Sequence, residues 1–453
     1  MIWIHLAIVF ACIIIGVRMG GVGLGLMGGI GVAILVFGAR LLPASPPIDV
    51  ILIILTVVTA ASAMQAAGGL DYLVSVAETI LRSNPKRVTY LAPFLTYLFT
   101  FGAGTGHVAY ALLPVIAEVA LKAGIRPERP MAVAAIASQQ AITVSPISAA
   151  TAALIASLAA AGYSDISLGS ILVICFPATF IGCMTAAFCM NFVGKELHED
   201  PIYLAKVANG DISMPDSGKT YTASAGAKRA VVIFLTGSVS VVLLGLIRGE
   251  TFAFLTPVKR FLFDRVTESG AVATISMPVT IEVVMLVVAA LITILCKVDV
   301  KKITKGSVFD AGIMAVIAIF GVAWMGDVFF AGHKNAIVAA FGDMVRTAPW
   351  LFAVALFALS ILLYSQAATT RILMPVGLAT LGINPFLCIG MFPAVNGYFF
   401  IPSYPTCVAA VNFDQTGTTC IGKYVLNHSF MLPGMIATVV AVSVGCGIAT
   451  LMS

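Results

Sequence analysis

The chain has very few charged residues for its length. Only 10% of its 453 residues are Asp, Glu, Lys or Arg, whereas 60% are hydrophobic. A soluble globular domain carries about 25% charged residues, so the composition argues against a soluble protein. Apolar runs of about 20 residues, the length that crosses a bilayer, recur along the whole chain. The sequence therefore predicts an integral membrane protein surrounded by lipid.

Signals for catalysis are missing as well. The sequence has no Walker loop, no cluster of metal ligands and no nucleophile–base pair, so it predicts neither an enzyme nor an ATP-driven pump, and no cofactor or metal. The nine cysteines lie almost entirely in apolar runs without CxxC spacing, which favours small hydrophobic side chains over disulfides or metal ligands. No basic patch with interleaved aromatics is present, so no nucleic-acid partner is predicted.

The apolar runs fall into two sets on either side of a polar connector. In both sets the third run is followed by an amphipathic stretch, then a run too long for one span, an interrupted helix and a closing span. This repeated order predicts a first repeat at residues 1–193, a cytoplasmic connector at 194–228 and a second repeat at 229–453. The amphipathic stretches are residues 68–82 and 326–347.

Each predicted repeat contains a re-entrant hairpin followed by a broken helix. As one straight helix, residues 88–120 would be ~50 Å long, against a hydrocarbon core of ~30 Å. Residues 350–380 are similarly long, and both runs carry a polar tip near the middle. The helices that follow, 131–162 and 385–411, are interrupted by Pro and Ser. The predicted fold is all-α and membrane-integral, with two repeats of this kind.

Lysine and arginine set the predicted orientation. With the N-terminus outside and both long runs re-entrant, the inner loops hold 17 of the 25 Lys and Arg residues, and the outer loops hold seven. This asymmetry satisfies the positive-inside rule. The first repeat then begins outside and the second inside, which makes the repeats inverted and places both termini outside. Inverted repeats are the geometry of alternating-access carriers.

Paired broken segments in two halves of a membrane protein indicate a substrate site. Backbone groups freed at Pro146 and Pro402 need partners in lipid, and half-helix N-termini attract carboxylates. Two such half-sites suit a short dicarboxylate; the alternative is that each Pro is a simple kink. The candidate substrate-binding residues are Thr105, Gly106, His107, Gln139, Ser145, Pro146, Ser148, Thr369, Thr370, Arg371, Asn396, Ser403, Tyr404 and Thr406.

Two ionisable residues stand out in the predicted hairpins. Arg371 is the remaining basic residue, and it falls at membrane depth, where a charge is usually functional. Its planar fork can bind a carboxylate bidentately, and the lack of Asp or Glu within 350–380 favours an external anion. Snorkelling or pairing with an acid is the alternative. His107 could donate to a carboxylate or titrate near neutral pH, or it could be a structural histidine.

Long motifs then suggest a family. The chain resembles the anaerobic C4-dicarboxylate carriers, the Dcu family, of bacterial inner membranes. The similar stretches are RMGGVGLGLMGGIGVAILVFG (18–38), PPIDV (46–50), QAAGGLDYLVSVAETILRSNP (65–85), GTGHVAYALLPVI (104–116) and GIRPERPMA (124–132). The resemblance implies exchange of fumarate, malate, aspartate and succinate across the bacterial inner membrane. The outer side, on which the charge pattern places both termini, is then the periplasm. It also implies kinship with the ion-transporter superfamily, whose members have opposed hairpins, elevator-like motion and often a homodimeric assembly.

The hairpin tips depart from one pattern of that superfamily. Sodium-coupled dicarboxylate carriers show Ser-Asn-Thr at their tips, whereas the tips here read Gly-Thr-Gly-His and Ser-Gln-Ala-Ala-Thr-Thr. The sequence therefore favours an antiporter, with a proton- or sodium-coupled symporter of a related organic anion as the alternative. A membrane enzyme would need a base or metal set at membrane depth, where only His107 is available. A membrane sensor kinase is a further candidate partner, contacting the polar connector.

Overall fold

The computed structural model describes residues 1–19, 22–46, 48–106, 108–163, 165–212, 224–248, 256–267, 271–363, 365–402, 404–422 and 427–452. Most of these residues are helical, as the apolar runs predict. The first half begins with three long apolar helices. Its helices are α1 (Ile2–Met19), α2 (Gly23–Ala33), α3 (Ile48–Ala66), α4 (Gly69–Ser83), α5 (Val88–Ala103), α6 (Val108–Lys122), α7 (Glu128–Gln140), α8 (Ala149–Ala160), α9 (Leu168–Met190) and α10 (Pro201–Ala208).

The second half repeats much of this order after the connector. Its helices are α11 (Ala225–Arg248), α12 (Thr256–Phe263), α13 (Met277–Leu295), α14 (Val300–Ile303), α15 (Ser307–Thr347), α16 (Leu351–Leu363), α17 (Gln366–Pro375), α18 (Pro385–Met391), α19 (Pro405–Phe413) and α20 (Met431–Met452). A short antiparallel pair, β1 (Asp264–Val266) with β2 (Val272–Thr274), separates α12 from α13. The predicted all-α fold is confirmed as mostly helical, and this short pair of strands is an exception to it.

Both over-long runs are split into two helices that pack against each other. The first run forms α5 and α6, and the second forms α16 and α17. Both interrupted runs are split as well. Between α7 and α8 lie a 3-10 turn at Ala141–Thr143 and non-helical residues, and between α18 and α19 lie 3-10 turns at Phe392–Val395 and Gly397–Phe399. Both over-long runs and both interrupted runs are therefore divided into shorter helices. Re-entry of the long runs from one side of the membrane stays a prediction.

The two amphipathic stretches differ from each other. In the first half, α3 and α4 are separate helices bent by 69°. In the second half, residues 326–347 continue the preceding span without a break, so that α15 runs through 41 residues. The sequence predicts a separate amphipathic segment in both halves, and that prediction is wrong for the second.

The helices pack in two groups. In the first group, α2 lies against α1 and α15, and α3 lies against α13 and α15. In the second group, α9 lies against α20, α5 against α7, α18 against α20, and α17 against α8. We call these the α15 group and the hairpin group. The contacts between α15 and α17 and between α3 and α8 join one group to the other.

Glycines bring α2 and α15 into backbone contact. A Cβ atom added at Gly28 would lie 2.2 Å from the carbonyl carbon of Gly321, and one added at Gly25 would lie 2.1 Å from the carbonyl oxygen of Ile317. Gly21, Gly25 and Gly29, spaced by four residues, predict a packing seam in this region. Gly25 takes part in it, Gly28 was not in the predicted set, and Gly21 lies outside the described residues. Gly29 does not take part, since nothing lies within 4 Å of a Cβ added there.

Several helices meet the length and composition expected of membrane spans. Within the described residues, these are α9, residues 225–245 of α11, α13 and α20, and the bent pair of α3 and α4 adds a fifth candidate. Shorter apolar helices include much of α1 and α16. The combination of full spans with short apolar half-helices agrees with a multi-pass membrane protein.

Ion pairs hold the polar connector against the loop before α7. The Arg126 side chain binds Glu128, with Nε 2.6 Å from Oε2, and also binds the carboxylate of Asp200. Asp200 caps α10 by accepting hydrogen bonds from the backbone N–H groups of Ile202 and Tyr203, at 2.9 and 3.1 Å. Burial alone would raise the pKa of Asp200, but these N–H groups and the Arg126 charge together lower it.

Candidate functional site

The tip of the first hairpin lies against the first helix break. Gly104 ends α5 in the left-handed conformation, with φ 71°. A Cβ atom added there would lie 2.8 Å from Cγ1 of Ile147, and one added at Gly106 would lie 2.4 Å from Nε2 of Gln139. Thr105 lies between these glycines. The tip is therefore in direct contact with both ends of the break.

Two serine hydroxyls form hydrogen bonds at this break, one to the hairpin and one to the backbone of the break itself. Ser145 donates a hydrogen bond to the carbonyl oxygen of Phe101 in α5, at 2.7 Å. Ser148 donates to the carbonyl oxygen of Ile142, at 2.5 Å, and accepts from the N–H of Thr151 as the N-cap of α8. Pro146 lies between the two serines and supplies no N–H. Both predicted serines are at the break, where they satisfy freed backbone groups.

The second hairpin is fastened to the second break in a similar way. The backbone N–H of Gly397, the first residue of the second 3-10 turn, donates to the Ser360 hydroxyl of α16 at 2.8 Å. Ser365 caps α17 by accepting from the N–H of Ala368. The hydroxyls of Thr369 and Thr370 donate to the carbonyl oxygens of Ser365 and Gln366, at 2.9 and 2.6 Å. Each hairpin is thus tied by a serine to the break that follows it.

Four buried amide side chains connect the two halves, and we call them the amide cluster. Nε2 of Gln366 donates to Oε1 of Gln139 at 2.9 Å and contacts Oδ1 of Asn396 at 3.3 Å. Nδ2 of Asn396 donates to Oε1 of Gln140 at 3.1 Å. None of the four is more than 6% exposed. The second tip, the first break and the second break therefore meet at uncharged hydrogen-bonding groups.

The environment of the amide cluster favours an anion. Gln366 is the first residue of α17, so the N-terminal end of that helix, which carries partial positive charge, lies at the cluster. Amide NH2 groups donate hydrogen bonds, and they can rotate to exchange one acceptor for another. Gln139 and Asn396 were predicted from the sequence. Gln366 and Ser360 were not predicted. A polar side chain at the hairpin tip could have indicated Gln366, and a polar side chain inside an otherwise apolar half-helix could have indicated Ser360.

Arg371 has an acidic partner elsewhere in the chain. Its Nη2 atom lies 3.1 Å from Oδ2 of Asp327 in α15, and the two side chains are 14% and 16% exposed. The sequence argument for an external partner considered only residues 350–380, and the counter-ion comes from the preceding long helix. The structure therefore agrees with the alternative that Arg371 pairs with an acid of the chain, and substrate binding by Arg371 stays a prediction.

The remaining predicted residues are divided between the second break and positions outside the described residues. The Tyr404 ring lies at the start of α19, with its centroid 4.7 Å from that of Tyr398. Thr406 is buried, and its hydroxyl has no nitrogen or oxygen partner in the part of the chain that the structure describes. His107 and Ser403 fall outside the described residues, so their roles stay predictions.

Comparisons with known proteins give consistent matches over the full length. The family model described as an anaerobic C4-dicarboxylate membrane transporter matches residues 1–453. The C4-dicarboxylate transporter DcuA of Wolinella succinogenes is 43% identical over 458 residues, covering 100% of both chains. The protein of the same name from Escherichia coli K12 is 42% identical, covering 98% of both chains.

A solved structure has a similar fold. The YdaH transporter of Alcanivorax borkumensis, whose structure is described as having an unusual topology, superposes with a TM-score of 0.51. The match covers 94% of this chain and 96% of that one, at 13% sequence identity. At this identity the likeness concerns the fold alone.

Proposed function

This chain belongs to the family of anaerobic C4-dicarboxylate membrane transporters, and from that premise we propose that it exchanges fumarate, malate, aspartate and succinate across the bacterial inner membrane. The exchange proceeds by alternating access, with external fumarate, malate or aspartate entering as internal succinate leaves. The amide cluster is the observation that carries the proposal, because it brings both halves together at buried hydrogen-bond donors.

The contacts around the cluster support two inverted repeats. A serine ties each hairpin to the following break, through Ser145 in one half and Ser360 in the other. The second helix of each hairpin then crosses to the other half: α6 packs against α19, and α17 against α8. A ligand at the crossing would meet equivalent groups from both halves, which suits a molecule with a carboxylate at each end.

The neutral amides of the cluster can exchange their hydrogen bonds to one another for hydrogen bonds to a substrate. Gln139, Gln366 and Asn396 bond to one another and to their neighbours, so the amide donors of these three side chains have partners. A dicarboxylate replaces these mutual bonds with charge-assisted ones, which are stronger. The proposed site also includes Gly106, which lies against Gln139, and the predicted residues Thr105, Ser145, Ser148, Arg371 and Thr406.

The packing into two groups supports an elevator-like motion. The hairpin group contains both tips and both breaks, whereas the α15 group contains α1–α3, α11, α13 and α15. We propose that the hairpin group moves across the membrane relative to the α15 group, which forms the static part of a homodimer.

Counterflow in proteoliposomes tests the proposed exchange. Vesicles loaded with unlabelled succinate are expected to take up labelled fumarate rapidly, without sodium or a pH gradient, whereas empty vesicles take up little. Uptake into empty vesicles that follows an ion gradient would indicate symport instead. Correctly inserted protein that moves no C4-dicarboxylate under any of these conditions would contradict the proposal.

A further inference from the structure

The ion pair between Arg371 and Asp327 joins the two helix groups. Arg371 is on α17 of the hairpin group, and Asp327 is on α15. Their neighbours are also in contact, since a Cβ atom added at Gly326 would lie 3.1 Å from the Cγ1 atom of Ile372. A pair in this position must break or deform when α17 moves along α15.

The contact with Asp327 occupies few of the hydrogen-bond donors of the Arg371 guanidinium. Among the described residues, Arg371 donates one hydrogen bond, from Nη2 to Oδ2 of Asp327. Its Nε atom is buried and has no partner in the described part of the chain. A guanidinium has five N–H donors in a planar fork that fits a carboxylate bidentately. The unused donors can therefore receive a second carboxylate in a better geometry than the existing one.

We propose that Asp327 is the internal counter-ion of Arg371 and that a carboxylate of the substrate displaces it, an inference that rests on the proposed dicarboxylate exchange. Asp327 is then an affinity-setting residue, because the substrate must compete with it. An unpaired arginine at membrane depth is strongly unfavourable. The chain therefore keeps the internal pair until an external carboxylate replaces it.

The displacement is balanced in charge. Arg371 exchanges one carboxylate for another and stays neutralised throughout. Asp327 gives up its partner, and its side chain is 16% exposed. A chain without substrate would leave both charges unpaired when α17 moves away, whereas a loaded chain leaves only one. The same pair therefore favours movement of the loaded form.

The test compares single substitutions in counterflow assays. Asp327→Asn removes the competing charge, so we expect the fumarate concentration that gives half-maximal exchange to fall by about five- to tenfold. Asp327→Glu keeps the charge and is expected to stay close to wild type. Asp310→Asn makes the same change at an exposed position of α15 and is the matched control. Correctly inserted Asp327→Asn protein with an unchanged or higher half-maximal concentration would overturn the proposal.

A double variant separates competition from a purely structural role. Asp327→Asn with Arg371→Gln removes both charges, a change that buried pairs tolerate better than loss of one partner. We expect its half-maximal fumarate concentration to rise at least tenfold above wild type, opposite in sign to the single variant. A double variant with wild-type affinity would show that Arg371 does not bind substrate and would overturn the proposal. This test remains valid if the single variant Asp327→Asn fails to insert into the membrane. Wild-type protein without any exchange would instead contradict the proposed function.

Discussion

At the residue scale, the meeting point of the hairpins and breaks is made of uncharged donors. Gln139, Gln140, Gln366 and Asn396 are buried and bond to one another across the two halves. Burying amides without partners would be costly, so each depends on the others. This mutual dependence makes the cluster sensitive to loss of one member.

Gln366→Leu is expected to reduce fumarate–succinate exchange by about tenfold or more, because it leaves buried groups of Gln139 and Asn396 without this partner, at about 1–3 kcal/mol each. The measurement is the initial rate of counterflow in proteoliposomes of equal protein content. Gln415→Leu introduces the same side chain at an exposed loop position and is expected to leave the rate near wild type. Equal rates in both variants would remove Gln366 from the site.

Asp200 provides a pH-dependent contribution to stability outside the membrane. Its pKa is lowered in the folded protein, so its contribution is fully present above the ordinary Asp pKa of about 4 and is lost as the pH falls through the lower folded value. Asn still caps a helix, so Asp200→Asn removes the charge alone.

We therefore expect Asp200→Asn to lower the melting temperature equally at pH 7 and pH 5, through a loss on the order of 1.5–3 kcal/mol. The difference from wild type should shrink only below about pH 4. Melting curves of detergent-solubilised protein at three pH values measure this. A difference that already disappears between pH 7 and pH 5 would contradict the lowered pKa.

Sequence reasoning identified many of these residues but not their partners. Gln139, Ser145 and Asn396 were predicted because polar side chains next to a break in lipid need acceptors or donors. Asp327 was missed as a partner of Arg371, because it lies 44 residues earlier in the chain. Pairing across the fold depends on how helices pack, and no local pattern encodes it.

At the element scale, the first tip depends on a glycine in the left-handed conformation. Gly104→Ala adds a Cβ atom 2.8 Å from Cγ1 of Ile147 and strains the backbone at φ 71°. Gly124 has a similar φ of 69° and nothing within 4 Å of an added Cβ. Both substitutions strain the backbone, but only Gly104→Ala also places a methyl group against the helix break.

We expect Gly104→Ala to reduce exchange by at least tenfold, while Gly124→Ala stays within about twofold of wild type, since overpacking typically costs about 1–3 kcal/mol. Counterflow rates, normalised to folded protein, measure both. Similar rates in the two variants would show that the tip tolerates displacement from the first break.

The packing seam between α2 and α15 offers a second matched pair of substitutions. Gly28→Ala inserts a methyl group 2.2 Å from the backbone of Gly321, whereas Gly29→Ala points into open space. We expect Gly28→Ala to destabilise the protein by about 1–3 kcal/mol. Gly29→Ala should be neutral or slightly stabilising, because Ala favours helix by up to about 1 kcal/mol. Thermal unfolding in detergent measures the difference, and equal melting temperatures would argue against a close seam.

Elements were predictable where a local signal interrupts a hydrophobic run. The tips at Gly104 and Ser365 and the Pro-containing breaks satisfy that condition, and the structure has half-helices there. The β1–β2 pair was missed because strands of three residues carry no periodic signal. The continuity of α15 was missed because an amphipathic stretch has the same helical period as the span before it.

At the scale of the whole molecule, the orientation and the inverted arrangement rest on charge. The distribution of 17 inner and seven outer basic residues predicts that both termini lie in the periplasm and the connector in the cytoplasm. We expect a periplasm-dependent reporter such as alkaline phosphatase to be active when fused at the C-terminus and inactive when inserted at the connector. Reporter activity at the connector alone would show that the chain has the opposite orientation in the membrane.

The whole-molecule comparison also defines what the sequence could predict. A family model over residues 1–453 agrees with the resemblance seen in the motifs between 18 and 132. The two packing groups were not predictable, because they bring together helices from both halves, such as α9 with α20. Their contacts arise from tertiary packing of helices that are apolar on many sides, for which sequence periodicity gives no direction.

The difference between the bent pair α3–α4 and the continuous α15 has a consequence for transport rates. The first hairpin is connected through a 69° elbow, while the second follows a single rod of 41 residues, ~60 Å long. An elbow absorbs displacement by changing its angle, whereas a rod must transmit force or tilt as a unit. Under the proposed motion, the inward and outward half-cycles cross the same barrier in opposite directions, so each of them bends the elbow and tilts the rod. We expect the unbroken rod to contribute the larger part of that barrier and so to limit the exchange rate.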